Sequence, residues 1–324
     1  MTNFSRILCV IDPTSDAQPA LQRAAWLAGR SGGILELFVC YYNEYLRADQ
    51  FFDSRSLERT RKEAIRLHED RLEKLAGPLR ERGLEVRTTA VWEHPLYEAV
   101  VRHATSVKAD LVFKDTHHHP PSMRGIFSNT DWNLIRAGPV PLWLVKPANI
   151  EGKPIFIAAI DPTHEHDKPA ELDDAILSIS MDLAKLTDAE VHAFHAFSFD
   201  PRLALPVTTA NAYVPVLVEV EGIMENVRTE HEKRFAEVTG AHDLNVERSH
   251  FVSGNVHEEL PALARELSAS VVVMGAIARN RVKRLFIGAT AERTLEELPC
   301  DLLIVKPDWY HSPIEGAQAG TDQR

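Results

Sequence analysis

Ile11-Asp12-Pro13-Thr14 ends a short apolar run near the start of the chain, and Ile160-Asp161-Pro162-Thr163 ends another near its middle. Each copy is answered downstream by one tripeptide, Val145-Lys146-Pro147 and Val305-Lys306-Pro307. Sliding the second half back until Val305 falls on Val145, a shift of 160 positions, aligns residues 90 to 147 with 250 to 307 without a gap. Glu98 then meets Glu258, Arg124 meets Arg284, Thr130 meets Thr290 and Pro139 meets Pro299. A repeat this long is a domain and not a solenoid unit. The 324 residues accommodate two domains of about 150. One fold is thus written twice, over 1–147 and 154–310, and the polar stretch 311–324 is expected to be a disordered tail. Only Ala148 to Lys153 separate the halves, and so short a linker favours packing over independent beads.

Composition sets outer bounds. With 44% hydrophobic and 26% charged residues the chain is an ordinary globular one. No apolar run approaches the roughly 18 residues that would span a bilayer. The N-terminus runs directly into a strand-like segment instead of a signal peptide, so the expected compartment is the cytoplasm. Cys9, Cys40 and Cys300 form no CxxC pair and read as small buried hydrophobes. A net charge of −11 argues against phosphate-backbone binding, which requires clustered cations, so nucleic acid is not an expected partner.

Each half alternates short β-branched runs with helix-length periodic segments, the signature of an α/β fold with a parallel sheet. Strands are expected near 7–11, 34–40, 86–91, 111–114 and 142–145, and again near 155–160, 191–197, 246–252, 271–274 and 302–305. Ala20, Leu21, Ala24, Leu27 and Ala28 match Ile176, Leu177, Ser180, Leu183 and Ala184 as the sheet-facing stripe of the first helix in each half. The charged segment 54–82 reads as a solvated helix with ion pairs.

Ligands of open α/β sheets bind at the carboxyl ends of the strands, where strand order reverses. Asp12 and Asp161 end the first strand of each half, where a carboxylate could take a hydrogen bond from a ligand amine or cap the next helix. After the fourth strand of the second half comes Met274-Gly275-Ala276-Ile277-Ala278, then a loop with Arg279, Arg281, Lys283 and Arg284, then Gly288-Ala289-Thr290 opening a helix. Backbone amides at such a helix start form a seat for phosphate, although a merely solvated basic loop fits the same residues.

This segment resembles the nucleotide loop of the universal stress protein family: glycine, two residues, glycine, nine residues, glycine, then Ser or Thr. Gly275 and Gly288 hold the first and third glycine positions, Ala278 replaces the second, and Ala289 replaces the hydroxyl residue with Thr290 one place later. With the strand-ending aspartates, the Met274-Gly275 pair and both Val-Lys-Pro endings, the whole chain resembles the tandem members of that family, closest to their E type. The resemblance implies two doubly wound five-stranded parallel-sheet domains of the adenine nucleotide alpha hydrolase-like kind. It implies ATP or ADP as ligand, with Asp161 and the backbone near Ala196 facing adenine and ribose, and Gly275, Ala278, Gly288, Ala289 and Thr290 facing the phosphates. Alanine at a position that needs positive φ costs about 1 kcal/mol or more, and a lost hydroxyl bond to phosphate costs roughly 1.5–3 kcal/mol. Affinity is therefore expected to be weakened about a hundred-fold, unless Thr290 or the basic loop compensates.

The first half departs further. Asp115 stands at the register of Gly275, His118 at that of Ala278, Ser128 at that of Gly288 and Asn129 at that of Ala289. A carboxylate where phosphate would approach is electrostatically wrong, so the first half reads as a non-nucleotide domain. His117, His118 and His119 lack a third convergent ligand for a metal, while His192 and His195 fall on opposite strand faces. The proline-punctuated apolar segment 199–221 could line a cavity for an apolar small molecule or lipid, or pack between the halves. Three functions therefore compete: a non-catalytic nucleotide-responsive stress protein, a slow ATPase, and an apolar carrier. The assembly is expected to be a monomer with pseudo-dimeric halves or a homodimer.

Overall fold

A computed structural model describes residues 4–44, 54–116, 128–147, 150, 152–163, 170–198, 217–276 and 294–314. The first half runs β1 (Arg6–Val10), α1 (Pro19–Ser31), β2 (Ile34–Tyr41), α2 (Ser54–Glu81), β3 (Val86–Trp92), α3 (Leu96–Val107), β4 (Leu111–Asp115), α4 (Asn129–Ala137) and β5 (Leu142–Val145). The second runs β6 (Ile155–Ala159), α5 (Ala170–Thr187), β7 (Glu190–Phe197), α6 (Leu217–Ala241), β8 (Ser249–Ser253), α7 (Val256–Glu266), β9 (Val271–Gly275) and β10 (Asp301–Val305), with residues 294–297 helical before β10. Local signals mark the helix ends. Pro19 opens α1, where its missing N–H costs nothing, and Gly32 closes it at φ 67°. Ser128 and Asp131 form a capping box at the start of α4.

The strands form one ten-stranded sheet in the order β3-β2-β1-β4-β5-β10-β9-β6-β7-β8. Every pair is parallel except β5 with β10, which is antiparallel and joins the halves. Trp143 faces Leu303 there, flanked by Leu144 with Leu302 and Leu142 with Ile304. Trp143 and Leu303 are repeat equivalents, so the pairing is centred on a local two-fold axis. Without β10, β5 would present an unpaired edge. The two core layers ignore the boundary between the halves. One contains Leu27, Phe113 and Trp143 with Phe156, Leu177 and Leu303, and the other contains Val100, Leu134 and Leu144 with Leu260, Leu295 and Ile304.

The repeated Val-Lys-Pro finds its cause at this seam. Lys146 donates to the carbonyls of Leu295 and Leu298, at the end of the last helix of the other half. Lys306 lies 3.4 Å from the Arg136 carbonyl near the end of α4, and 4.5 Å above the Tyr310 ring. Each lysine thus serves the carboxyl end of a helix across the axis, where cations and donors are favoured. Burial lowers both lysines, Lys306 to about 7. Unlike the lysines, one contact breaks the symmetry. Asp301, 1% exposed, accepts from Arg23 Nε at 3.1 Å, Trp143 Nε1 at 3.0 Å and the Lys146 backbone at 2.9 Å. Its repeat partner is Pro141, which has no carboxylate to offer.

Most strand expectations hold within a residue or so, and the segment expected near 246–252 is the exception. Val246–Arg248 make a 3-10 turn with Val246 85% exposed, and the strand starts only at Ser249. The expected helix over 54–82 is present, but it is more than a solvated face: Leu72, Ala76 and Leu79 are buried against the sheet. The three cysteines are buried and free. The chain packs beyond the expected start of the tail, with Ser312 5% exposed and Ile314 against the second core layer; 315–324 lie outside the described residues. Among the described residues no helix is long and apolar enough to cross a membrane. Asp301→Ala, which takes the carboxylate from a buried guanidinium, is expected to cost about 3–5 kcal/mol in urea unfolding, and Arg23→Met with Asp301→Leu should recover most of it.

Candidate functional site

Strand order reverses between β6 and β9 in the second half, and between β1 and β4 in the first. The ends of β6, β7 and β9 lie side by side, with Ala159 paired to Phe194 on one flank and to Met274 on the other. Asp161 stands just past β6 and Gly275 ends β9, so the two flank the crevice of the second half. Asp161 Oδ1 accepts from Thr163 Oγ1 at 3.2 Å, and the Asp161 backbone donates to Asp173 of α5 at 3.1 Å. In the first half Asp12 Oδ1 accepts from both the backbone and hydroxyl of Thr14 at 2.7 Å. Each Asp-Pro-Thr therefore folds as a turn closed by its own threonine. The helix-cap expectation is corrected for Asp12: α1 has Gln18 at its N-cap.

Met274 and Ala196 are half-buried against the second core layer. Gly275 has a packing reason of its own, since a Cβ there would lie 2.3 Å from Leu172 Cδ2 of α5. Glycine at this position lets the first helix of the half approach the sheet, whatever occupies the crevice. Ala278, Gly288, Ala289 and Thr290 lie outside the described residues, as do His117 to His119 and residues 199–216 of the apolar segment.

Below the Asp161 turn sits a histidine pair with no signal in local sequence. His195 of β7 and His231 of α6 are each 4% exposed, and their rings stack with centroids 5.3 Å apart. His195 Nδ1 lies 3.1 Å from the Ile160 carbonyl, which only accepts, so Nδ1 carries hydrogen. In the neutral pair His195 Nε2 then accepts from His231 Nδ1 at 3.0 Å. His231 Nδ1 is also 3.5 Å from Thr163 Oγ1, which links α6 to the turn. On the opposite face of β7, His192 Nδ1 meets His250 Nε2 at 2.9 Å, and burial lowers the pKa of both rings. The expected opposition of His192 and His195 holds, but each has found a histidine from another element. Among the described residues no three His, Cys, Asp or Glu converge as a metal site.

The same places in the first half are filled by the chain's own charges. Asp115 Oδ1 accepts from the Ala20 backbone at 2.6 Å, so the carboxylate at the register of Gly275 serves the start of α1. Burial pushes Asp115 up to about 6, with Asp12 and Asp301 adding to the rise and the Ala20 amide and Lys114 opposing it. Lys114, 4% exposed, reaches the fully buried Asp131 at 2.7 Å. Asp131 Oδ2 in turn accepts from the Ser128 backbone at 2.8 Å and hydroxyl at 2.9 Å. The amino end of α4, at the register of Gly288-Ala289-Thr290, is thus occupied by a carboxylate from within.

The sequence profile of the universal stress protein family matches residues 3–146 and 167–306. The chain belongs to the universal stress protein family. Universal stress protein E of Escherichia coli K12 is 30% identical over 320 residues, covering 97% of this chain and 98% of that protein. Universal stress protein E of Photorhabdus laumondii is 27% identical over 323 residues, covering 98% and 100%. Among solved structures, a functionally unknown protein from Pseudomonas aeruginosa PAO1 superposes with a TM-score of 0.72 at 25% identity, over 94% of this chain and 93% of that one. A universal stress protein from Archaeoglobus fulgidus shares the fold at a TM-score of 0.63 and 13% identity, over 94% and 99%. The tandem, E-type resemblance and the α/β fold are therefore borne out, and the chain's coarse role is that of its family, the stress response.

Two variants separate packing from electrostatics in these crevices. Gly275→Ala is expected to lose about 1–3 kcal/mol of stability by forcing Leu172 aside, measured by urea unfolding without ligand. Asp115 binds its proton more tightly folded than unfolded. Its contribution is therefore fully present below the ordinary aspartate value of 3.8 and lost as pH rises through about 6. Asp115→Asn should remove a fall of about 3 kcal/mol between those values in a pH series of unfolding curves.

Proposed function

We propose that the second half binds ATP or ADP weakly, as a non-catalytic regulatory ligand of a cytoplasmic stress-response protein. The observation that carries this reading is the contrast between the two crevices. In the first, Asp115 places a carboxylate at the strand end, where it would repel phosphate, and Asp131, paired with Lys114, fills the helix start that phosphate would need. In the second, the corresponding positions are Gly275 and Ala291, followed and preceded by the cationic loop, and the turn holding Asp161 is braced by Thr163 and His231. Hydrolysis normally needs an acid to hold metal and a group to orient water, and the stretch from Gly275 to Thr290 contains no carboxylate. Nucleotide would then act by changing conformation or partner. The β5–β10 seam already pairs the halves within one chain, which supports a monomer with pseudo-dimeric halves as the working unit.

Calorimetric titration of the full chain with ATP and ADP tests this. Weak binding is expected, reduced at least five-fold by Asp161→Ala and by Gly288→Asp and unchanged by Asp12→Ala. Absence of heat at millimolar nucleotide, or binding indifferent to both second-half variants, would reject it. Turnover abolished by those two variants would instead make the site an ATPase.

A further inference from the structure

At the carboxyl ends of β2 and β3 the first half carries a ladder of rings. His68 of α2 packs on Tyr41 at 4.5 Å between centroids, Tyr41 meets Trp92 edge-on at 5.3 Å, Trp92 meets Tyr42 at 5.9 Å, and Tyr42 stacks on His94 at 4.6 Å. The ladder is neither core nor fully solvated: His94 is exposed and the other four rings are half-buried. Arg61 of α2 holds its guanidinium 5.6 Å from the centre of the Trp92 ring. That contact shows the indole face acting as a seat for a flat cation.

The second half keeps only the base of such a ladder: His231 of α6 meets Phe197 edge-on at 4.9 Å, and Phe197 stacks on Phe251 at 6.4 Å. Ile11 and Ile160 make the same backbone bond, to the carbonyls of Phe38 and Phe194, and this sets the two halves in structural register. Tyr41 then corresponds to Phe197 and Tyr42 to Ser198. Tyr41 pairs with Trp92 as Phe197 pairs with Ser253, so in the sheet Trp92 corresponds to Ser253, one place past the Val252 that the ungapped sequence alignment gives. At Tyr42 and Trp92 the first half has therefore placed aromatic rings on a ligand-side strand edge where its twin has Ser198 and Ser253. Scaffold packing does not call for these two rings, because the twin keeps the same strands and the Phe197–His231 pair without them.

We propose that this ladder is a ligand site of the first half, taking a small, flat, positively charged nitrogen heterocycle that stacks on Trp92 in place of the Arg61 guanidinium. The charge follows from what surrounds the strand ends. Trp is the strongest cation-binding ring. In the neighbouring crevice Lys114 offsets Asp131 and Arg71 is engaged by the Pro13 and Ser15 carbonyls and by Asp16, so the remaining negative charge, that of Asp12 and Asp115, repels a phosphate-bearing ligand and draws a cation. Burial and nearby Arg71 hold His68 below its usual pKa, which keeps that ring neutral and removes a competing charge. The site is independent of nucleotide in the second half.

Calorimetry of the full chain with 1-methylnicotinamide, a flat cation, and with nicotinamide, its neutral counterpart, tests the proposal. The cation should bind saturably and about ten-fold more tightly than the neutral ring. Trp92→Ala should weaken it about ten-fold or more, and Trp309→Phe, at a ring 48% exposed elsewhere on the surface, should leave it unchanged. Arg61→Ala, a change on a half-exposed helix position that leaves the fold intact, should tighten binding a few-fold by clearing the indole face. Equal affinity for the two probes, no saturation with the cation, or an Arg61→Ala variant with unchanged affinity would overturn the assignment.

Discussion

A carboxylate buried at the junction of the two halves sets how they meet. Asp301 is taken out of water at the start of β10, and such a desolvated charge is tolerable only with donors arranged around it. All three of its described donors come from the other half: Arg23 from α1, Trp143 from β5 and the backbone of Lys146 just after β5. A slip of β10 along β5 would strand both the carboxylate and the guanidinium. The antiparallel pairing centred on Trp143 and Leu303 is therefore locked by an interaction that occurs once, on a seam otherwise close to two-fold symmetric. From that lock follow the continuous sheet, the shared core layers and the reciprocal reach of Lys146 and Lys306 into helix ends across the axis.

The two crevices on this scaffold have diverged by opposite routes. In the first half the positions that could receive an anion are occupied by acidic side chains, tied down by Lys114, Ala20 and Ser128. In the second the strand end is a glycine and the turn after β6 is coupled through Thr163 to two stacked histidines. Gly275 illustrates why single residues mislead here: the motif reads it as a phosphate contact, while Leu172 supplies a packing reason for the same residue. The aromatic ladder around Trp92 extends the divergence, since it lies on the half from which the nucleotide pattern has been lost.

Much of the architecture was legible because it is local. Strands such as Leu142–Val145 and helices such as Ser54–Glu81 are announced by apolar period and by their punctuation, and the duplicated tetrapeptide places the halves in register. The failure at Val246 is instructive: a β-branched residue beside charged neighbours reads as a strand start, but it is one turn outside the sheet and exposed. The role of Asp12 was missed for a related reason. A threonine two residues on competes for its carboxylate more effectively than a distant helix does.

By itself the sequence determined the duplication, the α/β class, the ligand side of each sheet and the asymmetry of charge between the crevices. These depend on residue type and spacing along the chain, which local geometry converts into strands, helices and turns. Only the tertiary structure decided that β5 pairs with β10, that both Val-Lys-Pro lysines cross the seam, and that His195 meets His231. It alone assembled rings from α2, β2 and β3 into one ladder. Those contacts join residues dozens to hundreds of positions apart. Their partners are chosen by the burial of charge and the packing of faces, and no local period records either.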